Sequence, residues 1–130
     1  MLANMETLSV NNGPVLSTKD ILSTVIDCLD KNKATEINAI DLKGKTSIAD
    51  HMVIANGGSQ RHVAALADYV VKGLKAIGHK DLAVEGLEQA DWVLIDAGDV
   101  IVHIFRPEVR HFYNLDKMWA TDLEGSDAIN

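Results

Sequence analysis

Positive charge, cysteine and long apolar runs are all scarce in this chain, and each shortage removes a class of protein. Twelve Lys and Arg face nineteen Asp and Glu in 130 residues, a formal net charge of −7. Nucleic-acid binders usually carry a basic stripe that displaces counterions from phosphates, and none is present here. No direct sequence-specific nucleic-acid binding is expected, and an acidic surface of this kind suits Lys/Arg-rich protein partners instead. Cys28 is the only cysteine, which excludes an intramolecular disulfide and suits a reducing compartment. It falls on an amphipathic helical pattern, where a small buried hydrophobe is the simpler reading than a catalytic thiol. The longest apolar stretches, such as Met52 to Ala55 and Trp92 to Ile95, are only about strand length, so no membrane span is expected. The first basic residue is Lys19 and the first arginine Arg61. Neither a signal-peptide start nor an Arg-rich transit pattern is therefore read, and the cytoplasm is the expected compartment.

The apolar share of 47% is ample for a core, and the length fits one domain. A flexible tail is expected over residues 1–16, a folded domain over 17–120 and a polar tail over 121–130. Ser17-Thr18-Lys19-Asp20 resembles a capping box, followed by Ile21, Leu22, Val25, Ile26 and Leu29 at helical spacing. A helix from about Thr18 to Lys31 follows. Glu36 to Leu42 and Asp50 to Ala55 read as strands, the second apolar enough to be covered on both faces. Ser59 is placed to cap a second helix, whose Val63, Leu66, Ala67, Val70, Leu74 and Ile77 form one stripe ending at Gly78. A short strand is expected near Ala83 to Glu85. Pro107 fits the first position of a last helix, with Glu108 in its positive first turn. On that helix Val109, Phe112 and Asp116 share one side, and Leu115, Met118 and Trp119 lie on another. The order α-β-β-α-β-β-β-α predicts a single α/β domain with one mixed sheet of about five strands and the first two helices on one face.

Trp92 to Phe105 is a hairpin pattern around Ala97-Gly98-Asp99, and its register separates two kinds of surface. With Gly98-Asp99 as a two-residue loop, one face carries Val93, Ile95, Val100, Val102 and Ile104. The other carries Trp92, Leu94, Asp96, Ile101, His103 and Phe105. The β-branched set looks like core, and the mixed set has the makeup of a wet-edged recognition surface. A three-residue loop would scramble the two. Asp96 can pair with His103 or with a partner cation. His103 reads either as a half-buried sheet histidine bonded to a neighbour or as a partner contact. Five of the six aromatic residues fall between Trp92 and Trp119, a skew that favours an interface over core alone.

Enzymatic readings start at Gly57-Gly58-Ser59. A strand, a Gly-Gly-Ser loop and a helix can offer backbone N–H groups to phosphate, as nucleotidyltransferases do. Such enzymes add two acids spaced as Asp-x-Asp for metal, whereas here Asp68 is followed two positions on by Val70. Neither nucleotide-binding glycine signature occurs, and the five histidines show no zincin spacing. A structural cap-and-turn is preferred to a phosphate cradle, and no cofactor, metal or catalytic residue is expected. A nucleotidyltransferase-like enzyme stays as the alternative, and a pure oligomerisation module as a third reading.

Several segments, in order, carry a family resemblance: Asp41-Leu-Lys-Gly-Lys-Thr-Ser-Ile-Ala-Asp50, Arg61-His62, Val84-Glu-Gly86, Ala90-Asp-Trp-Val-Leu-Ile-Asp96, Gly98-Asp-Val-Ile-Val-His103 and Arg110-His-Phe-Tyr-Asn-Leu-Asp-Lys-Met-Trp119. Together they resemble the Iojap, or ribosomal silencing factor, family from about Thr18 to Trp119. No single segment is diagnostic; the ordered set is highly specific. The resemblance implies a nucleotidyltransferase-like α/β fold without the catalytic acids. It implies a translational repressor that binds the large ribosomal subunit through ribosomal protein fourteen (uL14) and blocks joining of the small subunit. It also implies a homodimer. The contact residues it implies are Trp92, Asp96 and His103 on the hairpin, with Arg110, Tyr113, Leu115 and Trp119 in the closing motif. Some of these can serve the dimer instead of the ribosome.

Overall fold

The computed structural model of the chain describes residues 16–113. Leu115 and Trp119, residues 1–15 of the expected N-terminal tail, all of the expected C-terminal tail and the second half of the expected last helix lie outside them. Leu16, the last residue of the expected N-terminal tail, is described and packs against the core.

The first helix, α1 (Thr18–Lys31), starts where the sequence pattern puts it. Ser17 Oγ accepts the Asp20 N–H at 3.1 Å, and the Asp20 carboxylate accepts back from the Ser17 N–H, so two orphan donors are satisfied at once. Strand β1 (Thr35–Asp41) and strand β2 (His51–Asn56) pair antiparallel, with a register shift between Thr35 and Asn38. Helix α2 (Gln60–Ala76) is capped by Ser59, whose Oγ accepts the His62 N–H at 3.1 Å. Three strands follow: β3 (Ala83–Glu85), β4 (Trp92–Asp96) and β5 (Val100–Phe105). The short helix α3 (Pro107–Tyr113) begins on Pro107, whose missing N–H costs nothing in the first turn.

The strands form one five-stranded sheet in the order β1-β2-β5-β4-β3. Only β2 and β5, the central pair, run parallel; the other neighbours are antiparallel. A mixed α/β sheet of five strands is what the sequence predicts. The hairpin register is also as expected: Ala97 donates its N–H to the Val100 carbonyl at 2.9 Å, and Asp96, Leu94 and Trp92 stand opposite Ile101, His103 and Phe105. The Ala97 carbonyl accepts from His79 Nε2 at 2.8 Å, which ties the hairpin tip to the end of α2.

Helices α1 and α2 cover one face of the sheet. Ile21, Val25 and Leu29 of α1 and Val63, Leu66, Ala67, Val70 and Leu74 of α2 are buried against Val53, Ala55, Val93, Ile95, Val100, Val102 and Ile104. The two helices come close at Gly73, where an added Cβ would stand 2.5 Å from Cys28 Sγ. Cys28 is half-buried there, and burial pushes its thiol pKa up, away from the reactive thiolate. Among the described residues no helix is long and apolar enough to cross a membrane.

Candidate functional site

The second face of the sheet receives no long helix among the described residues. Because side chains alternate along each strand, the pairing registers define its rows. Ile40, Met52, Ile101 and Asp96 form one row, and Asn38, Ile54, His103, Leu94 and Glu85 the next. Asn56, Phe105 and Trp92 form a third. Residues 42–49 fold over part of it, burying Leu42 and Ala49 against Met52, Ile54 and Phe105, while Val109 of α3 covers another part.

This face is drier at its floor than the sequence pattern suggests. Phe105 is fully buried and His103 only 8% exposed, whereas Trp92, Leu94 and Ile101 stay half-buried. Among the described residues, residues 42–49 and Val109 of α3 pack over Met52, Ile54 and Phe105 and cover Trp92 and Ile101 only in part.

Trp92 and His103 form the polar centre of the face. The Trp92 indole Nε1–H donates to His103 Nδ1 at 2.9 Å. The ring centroids lie 5.7 Å apart, Trp92 sits 4.9 Å from Phe105, and His103 stacks nearly parallel to Phe105. Burial lowers the His103 pKa to about 4, so the ring is neutral at neutral pH and its Nδ1 is free to accept. The expected alternative of an Asp96–His103 pair is not formed. Asp96 is exposed at the hairpin tip, where its Oδ1 accepts the Gly98 N–H at 2.9 Å. Trp92 and Asp96 are the two diagonal neighbours of His103, and strand twist brings one diagonal closer than the other.

Trp92 is set in place from behind by its own backbone. Gly86 has φ +92°, and a Cβ there would collide with the Trp92 carbonyl. The turn that follows β3 can pass under Trp92 only with glycine at this position. Beyond Trp92 a groove of about 870 Å³ runs between residues 86–91 and α3, with Leu87, Val109 and Phe112 on its walls and Glu88, Asp91 and Glu108 among its acids. Phe112 is 80% exposed. Neither Gly86 nor Leu87 was singled out as a site residue by sequence reasoning, although the Val84-Glu-Gly86 segment was a signal available for Gly86.

Helix α3 is pinned just before its start and at its middle. Arg106 Nε pairs with Asp91 at 2.8 Å and its Nη1 with Glu108 at 3.0 Å. Arg110 Nη1 donates to Asn56 Oδ1 at 2.9 Å and to the Glu36 carbonyl at 2.6 Å, at the bulge of β1 where Glu36 has φ +52°. Arg110 therefore has a structural task, which the sequence did not announce because its acceptors lie 74 and 54 positions away. Tyr113 ends the described part of α3.

The Gly-Gly-Ser loop is built as a helix cap. The Gly57 N–H donates to the Phe105 carbonyl at 2.8 Å and the Gly58 N–H to His62 Nδ1 at 3.0 Å. With Nδ1 accepting, His62 Nε2 carries the proton and donates to the Asn32 carbonyl at 2.9 Å, closing the end of α1. A Cβ at Gly57 would stand 2.9 Å from the Val63 side chain. Both donors are taken by acceptors of the chain itself, so neither is left for a phosphate. Asp68 is exposed and pairs with Lys72 one helical turn on, at 2.9 Å. Among the described residues no group of three His, Cys, Asp or Glu side chains can hold a metal ion.

Residues 15–129 match the family model described as "Ribosomal silencing factor during starvation". The chain belongs to the ribosomal silencing factor family. A ribosomal silencing factor of Zymomonas mobilis is 50% identical over 110 residues, covering 85% of this chain and 83% of that one. A mouse relative named for mitochondrial assembly of the large ribosomal subunit is 30% identical, over 80% of this chain and 47% of its own length. A crystal structure of a Chromobacterium violaceum protein superposes with a TM-score of 0.78 at 38% identity, covering 81% of this chain and 88% of that one. In this ribosomal silencing factor family member, the Trp92 face and the groove beside it are the candidate interaction site.

Proposed function

We propose that the chain is a translational repressor that binds the large ribosomal subunit through ribosomal protein fourteen (uL14), on the face that meets the small subunit. Occupying that face blocks subunit joining. The observation that carries this reading is Trp92, a half-buried indole held on the open sheet face in a chain of the ribosomal silencing factor family. Large, pre-positioned aromatic side chains beside a groove are the usual anchors of protein interfaces. The net charge of −7 favours a basic partner. The contact set is Trp92, Asp96, His103 and Arg110 with Tyr113, Leu115 and Trp119. It works in the cytoplasm by occupancy rather than by catalysis, and the free chain is a homodimer.

Co-sedimentation with purified large subunits, followed by a subunit-joining assay, tests the reading. Binding at micromolar protein and slowed joining are expected. Free joining in the presence of saturating protein would sink it. Light scattering at the same concentration tests the dimer, and a monomer there removes that part.

A further inference from the structure

The Trp92–His103 bond gives the two residues different tasks within the proposed face, an inference that rests on the ribosome-binding reading. Trp92 is half-buried and, together with Gly86, lines both the groove of about 870 Å³ and a neighbouring cavity of about 300 Å³ bounded by Glu85, Leu94 and His103. The plane of the indole therefore shapes both hollows. Phe105 supports the ring from one side at 4.9 Å, but an aromatic contact of this tilted kind leaves rotation about the side chain soft. A directional restraint comes from the 2.9 Å bond from Nε1–H to His103 Nδ1. His103 in turn cannot swing: it is 8% exposed, stacked on Phe105 and flanked across the sheet by Ile54 and Leu94.

We infer that His103 is a positioning residue, which holds the Trp92 indole in the orientation that the ribosomal partner meets and contributes to binding through Trp92. The bond also selects the tautomer. With Nδ1 accepting, the proton sits on Nε2, so the imidazole is locked as an acceptor toward Trp92. Asparagine places its side-chain oxygen near the position of Nδ1, and leucine has the same size without the acceptor. The pair His103→Asn and His103→Leu thus separates the hydrogen bond from the lost volume.

The test is a double-mutant cycle on large-subunit binding by the full chain, using Trp92→Phe and His103→Leu. His103→Leu alone is expected to weaken binding on the order of fivefold, the scale of one lost hydrogen bond. In the Trp92→Phe background it is expected to add less than about twofold, because the indole it acts on is gone. His103→Asn is expected to restore most of the binding at a similar unfolding midpoint. Additive losses, or equal losses for Asn and Leu, would overturn the positioning role. A second measurement needs no variant: NMR of the 15N-labelled wild-type chain should show a scalar coupling across the hydrogen bond between Trp92 Nε1 and His103 Nδ1. Its absence also overturns the inference. A wild-type chain that fails to co-sediment overturns the ribosome reading itself, and the binding role of both residues falls with it.

Discussion

The two faces of the sheet are built from the same five strands but solve different problems. The helix-covered face is uniformly aliphatic, with Val53, Ala55, Val93, Ile95, Val100, Val102 and Ile104 all fully buried under two amphipathic helices. Such a face tolerates only shape, and its contribution is stability. The other face mixes a dry floor of Met52, Ile54 and Phe105 with half-buried Trp92, Leu94 and Ile101. Among the described residues both buried polar side chains, Asn56 and His103, lie on it. Each accepts a hydrogen bond from a partly buried side chain, Asn56 from Arg110 and His103 from Trp92. Buried polar groups cost free energy unless bonded, and here the bonds fix direction rather than add bulk.

The sharpest way to break this comparison is to empty the floor of each face. Phe105→Ala should destabilise the fold by ~3–5 kcal/mol and Leu66→Ala by ~2–5 kcal/mol, measured by urea unfolding. A cost under about 1 kcal/mol at Phe105 would mean that the open face has no dry floor. Next in size, Trp92→Ala should cost ~2 kcal/mol or more of large-subunit binding, roughly thirtyfold, with a correctly folded chain by circular dichroism. Unchanged binding would move the site off this face.

Acid should distinguish the faces as well. The folded His103 pKa is lowered to about 4 from 6.5, so the unfolded chain binds more protons between those values. His103 therefore contributes stability that is present above pH 6.5 and is lost as pH falls toward 4. From pH 7 to pH 5 the loss should be about 2 kcal/mol, and it should vanish in His103→Leu when the two unfolding curves are compared. An identical pH dependence in both chains would place the ring in a wetter setting than its burial indicates. The smallest effect is expected remote from both faces: Ser59→Ala should cost ~1 kcal/mol by removing a helix cap. Large-subunit binding should stay within twofold or so, since one exposed cap lies outside the proposed contact set. Lost ribosome binding at that position would reopen the Gly-Gly-Ser loop as a working element.

Much of the fold was legible before any coordinates. The capping box at Ser17, the α2 stripe ending at Gly78 and the Gly98-Asp99 hairpin tip all depend on neighbours within a few positions. So did the division of Trp92 to Phe105 into two faces, because strand side chains alternate with a period of two. The site was only half legible. Trp92 and His103 could be placed on one face, yet their mutual bond could not be told from an Asp96–His103 pair, since both are diagonal neighbours of the same ring.

The hairpin face that holds Trp92 thus came from local pattern alone, and so did the conclusion that Gly57-Gly58-Ser59 precedes a capped helix. Tertiary structure decided which of those residues are accessible. It put Phe105 under Val109 of α3 and residues 42–49, buried His103 beside it and left Trp92 at the edge of a groove. It bonded the Gly58 N–H to His62 and set Arg110 to bridge Asn56 and the Glu36 bulge. Those outcomes depend on contacts between residues up to 74 positions apart. No short window of sequence contains both partners, so the pattern that specifies a strand or a cap is silent about what will lie across from it.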